Sequence, residues 1–305
     1  MMGPTFAVGA IGDTDADMAG AVDRFFAELF DLIRFYHIHY LVIQPPFAMH
    51  RVGDKREVVG MGDREARLQS HGFQKSATEF EMPATVLVDV TAPPDEIMAR
   101  MHRKTRQYIR GGLKRGVQVR VGSKVDLPTF YRLHTMTNER QGFPLHPEDH
   151  FTELWDAFAP YDAANVFMTA SSDEQERTPI SAIFALAWGD TVVCKANGWT
   201  GRYTTHRPNE VLYWGVLSWA HEHGYRWCDL DGLEPAIARA VLAEEPIPDS
   251  LASSWSLFKL RFGGQAVLLY DAYEYIPNPV VRWAYQTALP HVQQMRDIIL
   301  TRMGT

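Results

Sequence analysis

Lys259 follows Phe258 inside the apolar stretch SSWSLFKLRFGG, which runs from Ser253 to Gly264 and reads as a helix stopped by Gly263-Gly264. An ammonium that is wholly or half buried is costly unless something pairs with it. Such a lysine either snorkels to water or waits for an anion. Two carboxylates, Asp229 and Asp231 in CDLDGL, stand two residues apart. On a strand that spacing puts both on one face, where they can orient an amine or take its proton. A structural role, capping the loop that follows, is the alternative for either. Cys194 and Cys228 fall on predicted strands and read as core thiols, since neither has a marked His partner for nucleophilic work. His37 with His39, and His221 with His223, are also two apart. On a helix that spacing points the rings away from each other, no third ligand is near, and no metal site is expected.

These residues need a scaffold, and the hydrophobic pattern supplies one. Met18, Val22, Phe25, Phe26, Leu29, Phe30 and Ile33 recur at helical spacing, predicting a helix from about Asp15 to Phe35. HIHYLVIQPP reads as a strand ended by Pro45-Pro46, and DREARLQSHGF as a short helix closed by Gly72. TVLVDV is a strand. TAPPDEIMARMHRKTRQYIRGGLKRG reads as one helix from near Pro94 to Gly116, and VQVRVG as the next strand. Helices follow over Leu127 to about Arg140 and from Glu148 to Phe158. NVFMTASS and ISAIFALAWGDTVVCKANGW alternate as a meander turning at Gly189-Asp190. PNEVLYWGVLSWAHEHGY reads as a helix opened by Pro208 and closed by Gly224, RWCDLDGL as a strand, and QAVLLYDAYEYI as the last strand. The tail from Val280 to Met303 is predicted helical with a kink at Pro290. The order is mixed α/β, with an antiparallel hairpin beside βα units.

The chain of 305 residues is 46% hydrophobic and 22% charged, which describes an ordered globular protein. No Lys or Arg precedes Arg24, the apolar run ISAIFALAWG is far too short to span a membrane, and two cysteines suit a reducing compartment. A cytoplasmic protein without a membrane segment is expected. The net charge of −7 hides a segregation, because no acidic residue occurs from Ile97 to Val125 while nine basic ones do. With those nine set aside, the rest of the chain carries −16. On the predicted helix Arg103, Arg106, Arg110 and Lys114 share one stripe, joined by Lys104, and Ile97, Met101 and Tyr108 take the opposite arc, flanked by Ile109 and Leu113. A docked helix with a cationic outer face tracks a phosphate backbone, or it is simply a solvated face.

The blocks MHRKTRQYIRGGLKRGVQVRV, PNEVLYWGVLSWAHEHGYRWCDLDGL and LFKLRFGG, in that order and at those distances, resemble the Fem family of aminoacyltransferases, which includes the bridge-building transferases of bacterial peptidoglycan. ARLQSHGFQKSATEFEMPATVLVDV resembles the family's crossing from first lobe to second. The resemblance runs from about Gly3 to Tyr275. It implies two lobes similar to the acetyltransferase GNAT fold: residues 1–85, completed by 268–305, and residues 86–267, which carry the transferase motifs. It further implies transfer of an aminoacyl group from aminoacyl-tRNA, as co-substrate in place of a cofactor, to an acceptor amine. Arg103, Lys104, Arg106, Arg110 and Lys114 would then hold the tRNA. Lys259 would stabilise the oxyanion or leaving oxygen, Phe258 would aim it by packing, and Asp229 or Asp231 would orient or deprotonate the amine.

Some positions depart from the family pattern. The chain starts late in the first lobe, as expected for a trimmed lobe or a domain of a longer protein, and the family's helical coiled-coil arm is missing. His146 and His150 stand where muropeptide-binding members have arginine and tyrosine, and Lys195 where tyrosine is common. Imidazole in place of a permanent guanidinium weakens a diphosphate site. A small peptide or amino-acid-like acceptor, as in tRNA-dependent antibiotic pathways, is therefore expected, with Lys195, Arg140, His146, His150, Thr200 and Tyr213 at its pocket. The alternatives are a muropeptide acceptor, an acyl-CoA-dependent N-acyltransferase on the same fold, and a non-catalytic lobe that binds tRNA or peptide. The connection TGRYTTHRPNEV, with one glycine and Pro208 where an amide donor is wanted, speaks against CoA.

Overall fold

The structure is a computed structural model that describes residues 15–44, 48–51, 61–76, 83–143, 145–171, 179–251, 255–269, 272–285 and 287. In chain order its elements are α1 (Asp15–Phe35), β1 (Leu41–Ile43), β2 (Ala48–Arg51), α2 (Met61–Ser70), β3 (Gln74–Lys75), β4 (Ala84–Asp89), α3 (Pro94–Arg100), α4 (Arg103–Lys114), β5 (Val117–Val121), α5 (Leu127–Gln141) and α6 (Glu148–Phe158). They continue with β6 (Ala164–Ser171), β7 (Ser181–Trp188), β8 (Thr191–Trp199), α7 (Pro208–Glu222), β9 (Trp227–Asp229), α8 (Pro235–Leu242), α9 (Trp255–Leu260), β10 (Gln265–Leu269) and β11 (Tyr273–Tyr275). The chain divides into two compact units, residues 1–47, 58–81 and 270–305 in one, 48–57 and 82–269 in the other. The division assigns 48–57 to the larger unit because β2 pairs with β10.

In the smaller unit an antiparallel sheet, in the order β1-β11-β3, accompanies α1 and α2. Phe26 of α1 is the centre of its core, with ring contacts to Phe73 at 5.6 Å and to His71 at 4.2 Å. Gly72 ends α2 at φ +85°, a conformation that L side chains rarely adopt.

The larger unit is an eight-stranded sheet in the order β2-β10-β4-β9-β8-β7-β6-β5. Every pairing in it is antiparallel except β8 with β9. Strand alternation divides the core. Phe167 and Ile183 face a cluster with α3, α4, α7 and α8, whereas Val166, Met168, Ala182 and Phe184 face α5 and α6. The turn at Gly189, α5 closed by left-handed Gly142, and α7 running from Pro208 to a stop near Gly224 match the turn and cap residues in the sequence.

Several elements differ from the sequence expectation. The predicted helix from Pro94 to Gly116 is two helices. Met101 turns extended at ψ 156°, and the amide of His102 bonds to the Arg261 carbonyl at 2.9 Å. The Nη1 of Arg106 then caps the carbonyls of Ala99 (3.0 Å) and Met101 (2.6 Å). The buried face of α4 is Thr105, Ile109 and Gly112, and Leu113 is exposed. Gly112 has a packing reason, since a Cβ there would lie 2.5 Å from Val211 and 2.6 Å from the His206 carbonyl. The expected last strand is two strands, β10 and β11, in different sheets. A further helix, α8, buries Ile237, Ala238 and Ala240. The strand expected over HIHYLVIQPP is confined to Leu41–Ile43. The Pro45-Pro46 stop, the kink at Pro290 and the segment before Asp15 lie outside the described residues. Among the described residues no helix is long and apolar enough to cross a membrane.

Candidate active site

Among the described strands one pair, β8 with β9, is parallel. β8 and β9 are in register from Thr191↔Trp227 to Val193↔Asp229, where β9 stops while β8 runs on to Trp199. The carboxyl ends of adjacent parallel strands are where an open sheet offers a crevice. Asp229 stands at that end. β8 also bulges there, because Phe184 and Leu186 of β7 face Ala196 and Val193, three residues apart on β8. The bulge falls at Cys194-Lys195, and a bulge re-aims the side chains beside it.

Burial pushes the Asp229 carboxyl up to about 6, and the neighbouring Asp231 adds to this. Two hydrogen bonds to Oδ1 and the Lys259 charge oppose the shift. The donors are the Thr85 hydroxyl and the Asp231 amide, the latter at 2.7 Å. Asp231 corrects the sequence reading. It does not continue a strand but sits in a bend at φ +53°, with its Oδ1 accepting from the Gly232 amide at 2.9 Å. The two carboxylates adjoin through this bend rather than through strand alternation.

Lys259, on α9, is half-buried and reaches the same bend. Its Nζ donates to the carbonyls of Asp231 and, at 3.1 Å, Gly232, and lies 4.6 Å from the centre of the Trp255 ring. Trp255 precedes Lys259 by four residues, one helical turn. Burial holds the ammonium below its ordinary range, while Asp231 and Asp229 favour its charge. An ammonium has three donors, so two carbonyls leave one N–H for an incoming anion. Phe258 packs edge-on against Tyr213 (5.5 Å) and Phe262 (5.2 Å). Tyr213 is 3% exposed, a floor beneath the site rather than an open pocket wall. Burial raises its phenol well above the ordinary range, so it stays neutral. Cys194 and Cys228 lie beside it as buried free thiols with sulfurs 4.0 Å apart. The structure thus brings together Lys259, Phe258, Asp229, Asp231 and Tyr213, and adds Thr85 and Trp255, which the sequence reading missed.

The remaining pocket residues form separate groups. His146 and His150 stack at 4.3 Å, and burial, His146 and Lys195 together hold the His150 imidazole below its usual range. Arg140 is committed to the Trp199 turn, donating to the Trp199 carbonyl and lying 5.4 Å from the centre of its indole. The Thr200 hydroxyl accepts from the Arg202 amide at 3.2 Å within the same turn. His221 and His223 bond to the carbonyls of Val90 and Trp219, each at 2.8 Å. Among the described residues no group of three or more His, Cys, Asp or Glu is placed to hold a metal ion.

On α4, Arg103, Lys104, Arg110 and Lys114 are exposed. Arg106 departs from this stripe, half-buried and turned back onto the carbonyls that end α3. Approaching α7, Tyr203 and Arg207 are left-handed, and the Arg207 guanidinium lies 3.8 Å above the Tyr108 ring.

The sequence matches the FemAB family over residues 10–177, more than half of the chain. Lipid II:glycine glycyltransferase of Staphylococcus epidermidis is 26% identical over 107 residues, which cover 34% of this chain and 26% of that protein. The protein of the same name from Staphylococcus aureus is 30% identical over 99 residues, 32% of this chain and 24% of its own. The matched stretch therefore spans about a quarter of these relatives' length. The crystal structure of FemX has a TM-score of 0.64 and 17% identity, covering 88% of this chain and 79% of that one, which marks a shared fold.

Proposed function

Since this chain belongs to the FemAB family, we propose that it is an aminoacyltransferase that moves an aminoacyl group from aminoacyl-tRNA to an acceptor amine, forming an amide. The observation that carries this reading is the meeting of Lys259, Asp229 and Asp231 at the end of the parallel pair. Aminolysis of an ester develops negative charge on the carbonyl oxygen and leaves a proton on nitrogen. An ammonium in a half-buried site is suited to the first, and a carboxylate that titrates at about 6 to the second. An α-amine near its own pKa of about 8 supplies a neutral fraction for the attack. Arg103, Lys104, Arg110 and Lys114, a cationic face without a carboxylate partner among the described residues, would hold the nucleic acid by its phosphates.

The relatives' name, lipid II:glycine glycyltransferase, favours a peptidoglycan-precursor peptide as acceptor. The His146–His150 stack favours a small peptide or amino-acid-like acceptor, since two imidazoles grip a diphosphate less firmly than a permanent guanidinium. An acyl-CoA donor fits less well. Pro208 opens α7, so the helix start lacks an amide that a pyrophosphate cradle would use. The test is competition between acceptors and donors. With charged tRNA as donor, amide formation on a muropeptide, on free dipeptides or on both assigns the acceptor class, whereas turnover with acyl-CoA and none with charged tRNA would refute the reading.

A further inference from the structure

Thr85, 1% exposed on β4, has fully buried aliphatic neighbours in Ala84 and Val86. Valine would fill the same volume, so the hydroxyl calls for a polar explanation. Its one hydrogen-bond partner among the described residues is Oδ1 of Asp229, the same oxygen that accepts from the Asp231 amide at 2.7 Å. Oδ2 accepts no hydrogen bond from the described residues. Nor is it sealed in: the one enclosed and unpartnered side-chain polar atom among those residues is Nδ2 of Asn165.

We propose that Thr85 is a positioning residue that, with the Asp231 amide, saturates Oδ1 of Asp229, fixes the carboxylate plane and leaves Oδ2 as the one basic oxygen open to a substrate. The proposal rests on the reading of Asp229 as proton acceptor. As the C–N bond forms, the amine gives its proton to Oδ2. As the ester C–O bond breaks, that proton passes to the departing ribose oxygen, and Asp229 ends as it began. A carboxylate with both oxygens bonded would have to break a contact first, and one with neither bonded would rotate.

The groups around Asp229 are Asp231 in the adjoining bend, Lys259 on α9, Cys228 on its own strand, Cys194 on β8 and Tyr213 on α7. The hydrogen bond with Cys194 and burial raise the Cys228 thiol, and burial raises the Tyr213 phenol, both well above their ordinary values, so the charges that act on Asp229 are those of Asp231 and Lys259.

The test compares the wild type with Thr85→Val and Thr85→Ser, after thermal melts show that both variants are folded. The Asp229 carboxyl is titrated by carbon NMR, its signal identified as the one lost in Asp229→Asn. A hydrogen bond to a charged group is worth about one pKa unit or more. The titration is expected to move up by about one unit in the Val variant and to stay in place in the Ser variant. In the pH profile of transfer, the rate of Thr85→Val relative to wild type should then be about fivefold lower at pH 6 than at pH 8, on top of a pH-independent loss from the freed carboxylate plane. Equal carboxyl titrations in wild type and Thr85→Val would overturn the positioning role. A shifted titration with an unshifted rate profile would instead overturn Asp229 as proton acceptor, which separates the two failures.

Discussion

Asp229→Asn should reverse an electrostatic cost that the site imposes on the fold. The wild-type carboxyl is raised from 3.8 to about 6, chiefly by burial. A raised carboxyl means that the native state holds its proton more tightly than the unfolded chain does. The resulting stability is fully present below about pH 4 and is lost as pH rises through about 6. The difference of roughly 2 units corresponds to about 3 kcal/mol of stability in all, of which about 2 kcal/mol is lost between pH 4 and 7. Asparagine has no charge to desolvate and keeps an oxygen for the Thr85 hydroxyl and the Asp231 amide. Relative to wild type, Asp229→Asn should therefore gain about 2 kcal/mol on going from pH 4 to pH 7. Urea unfolding of both proteins at intervals across that range reads the difference directly, and other carboxylates cancel in the comparison. A stability difference that stays flat with pH would show that Asp229 is not held in a desolvating environment. If Asp229 is the proton acceptor as proposed, the same variant should also be poor in transfer.

Lys259→Met should lower kcat by about 100-fold or more if the amine stabilises an oxyanion, and wild-type turnover in that variant would remove the role. Arg103→Ala, Lys104→Ala, Arg110→Ala and Lys114→Ala combined should weaken tRNA binding and flatten its dependence on salt, measured by filter binding from low to moderate ionic strength, whereas Arg106→Ala should act mainly on thermal stability. Gly112→Ala should cost about 1–3 kcal/mol in chemical unfolding, because its Cβ would press on Val211 and the His206 carbonyl. An unchanged midpoint there would mean that α4 and α7 are free to separate.

The long helices were legible because period and punctuation agree. α1 shows apolar residues at helical spacing, and α5 and α7 end at Gly142 and near Gly224. The break between α3 and α4 carries no Gly or Pro at Met101-His102, and what sustains it is a carbonyl from Arg261, far along the chain. No local pattern could reveal that. β10 and β11 read as one strand because both alternate, although they pair with partners in different sheets. At the site, Lys259 and Asp229 were visible by residue type, and Trp255 was legible in principle as the residue one turn before Lys259. Thr85 was not visible, since it meets Asp229 across 144 positions through the β4–β9 pairing. The bend at Asp231 is not legible in the sequence, because its left-handed backbone falls on a residue other than glycine.

If this chain is the proposed transferase, it builds an amide from an aminoacyl-tRNA. The most direct measurement incubates the protein with a mixture of all charged tRNAs and a panel of amine acceptors, including muropeptides, and follows new amide products by mass spectrometry with and without RNase. The expected product appears only with intact charged tRNA and disappears in Lys259→Met. A product that forms equally well after RNase treatment, or only when acyl-CoA is supplied, would contradict the proposed function.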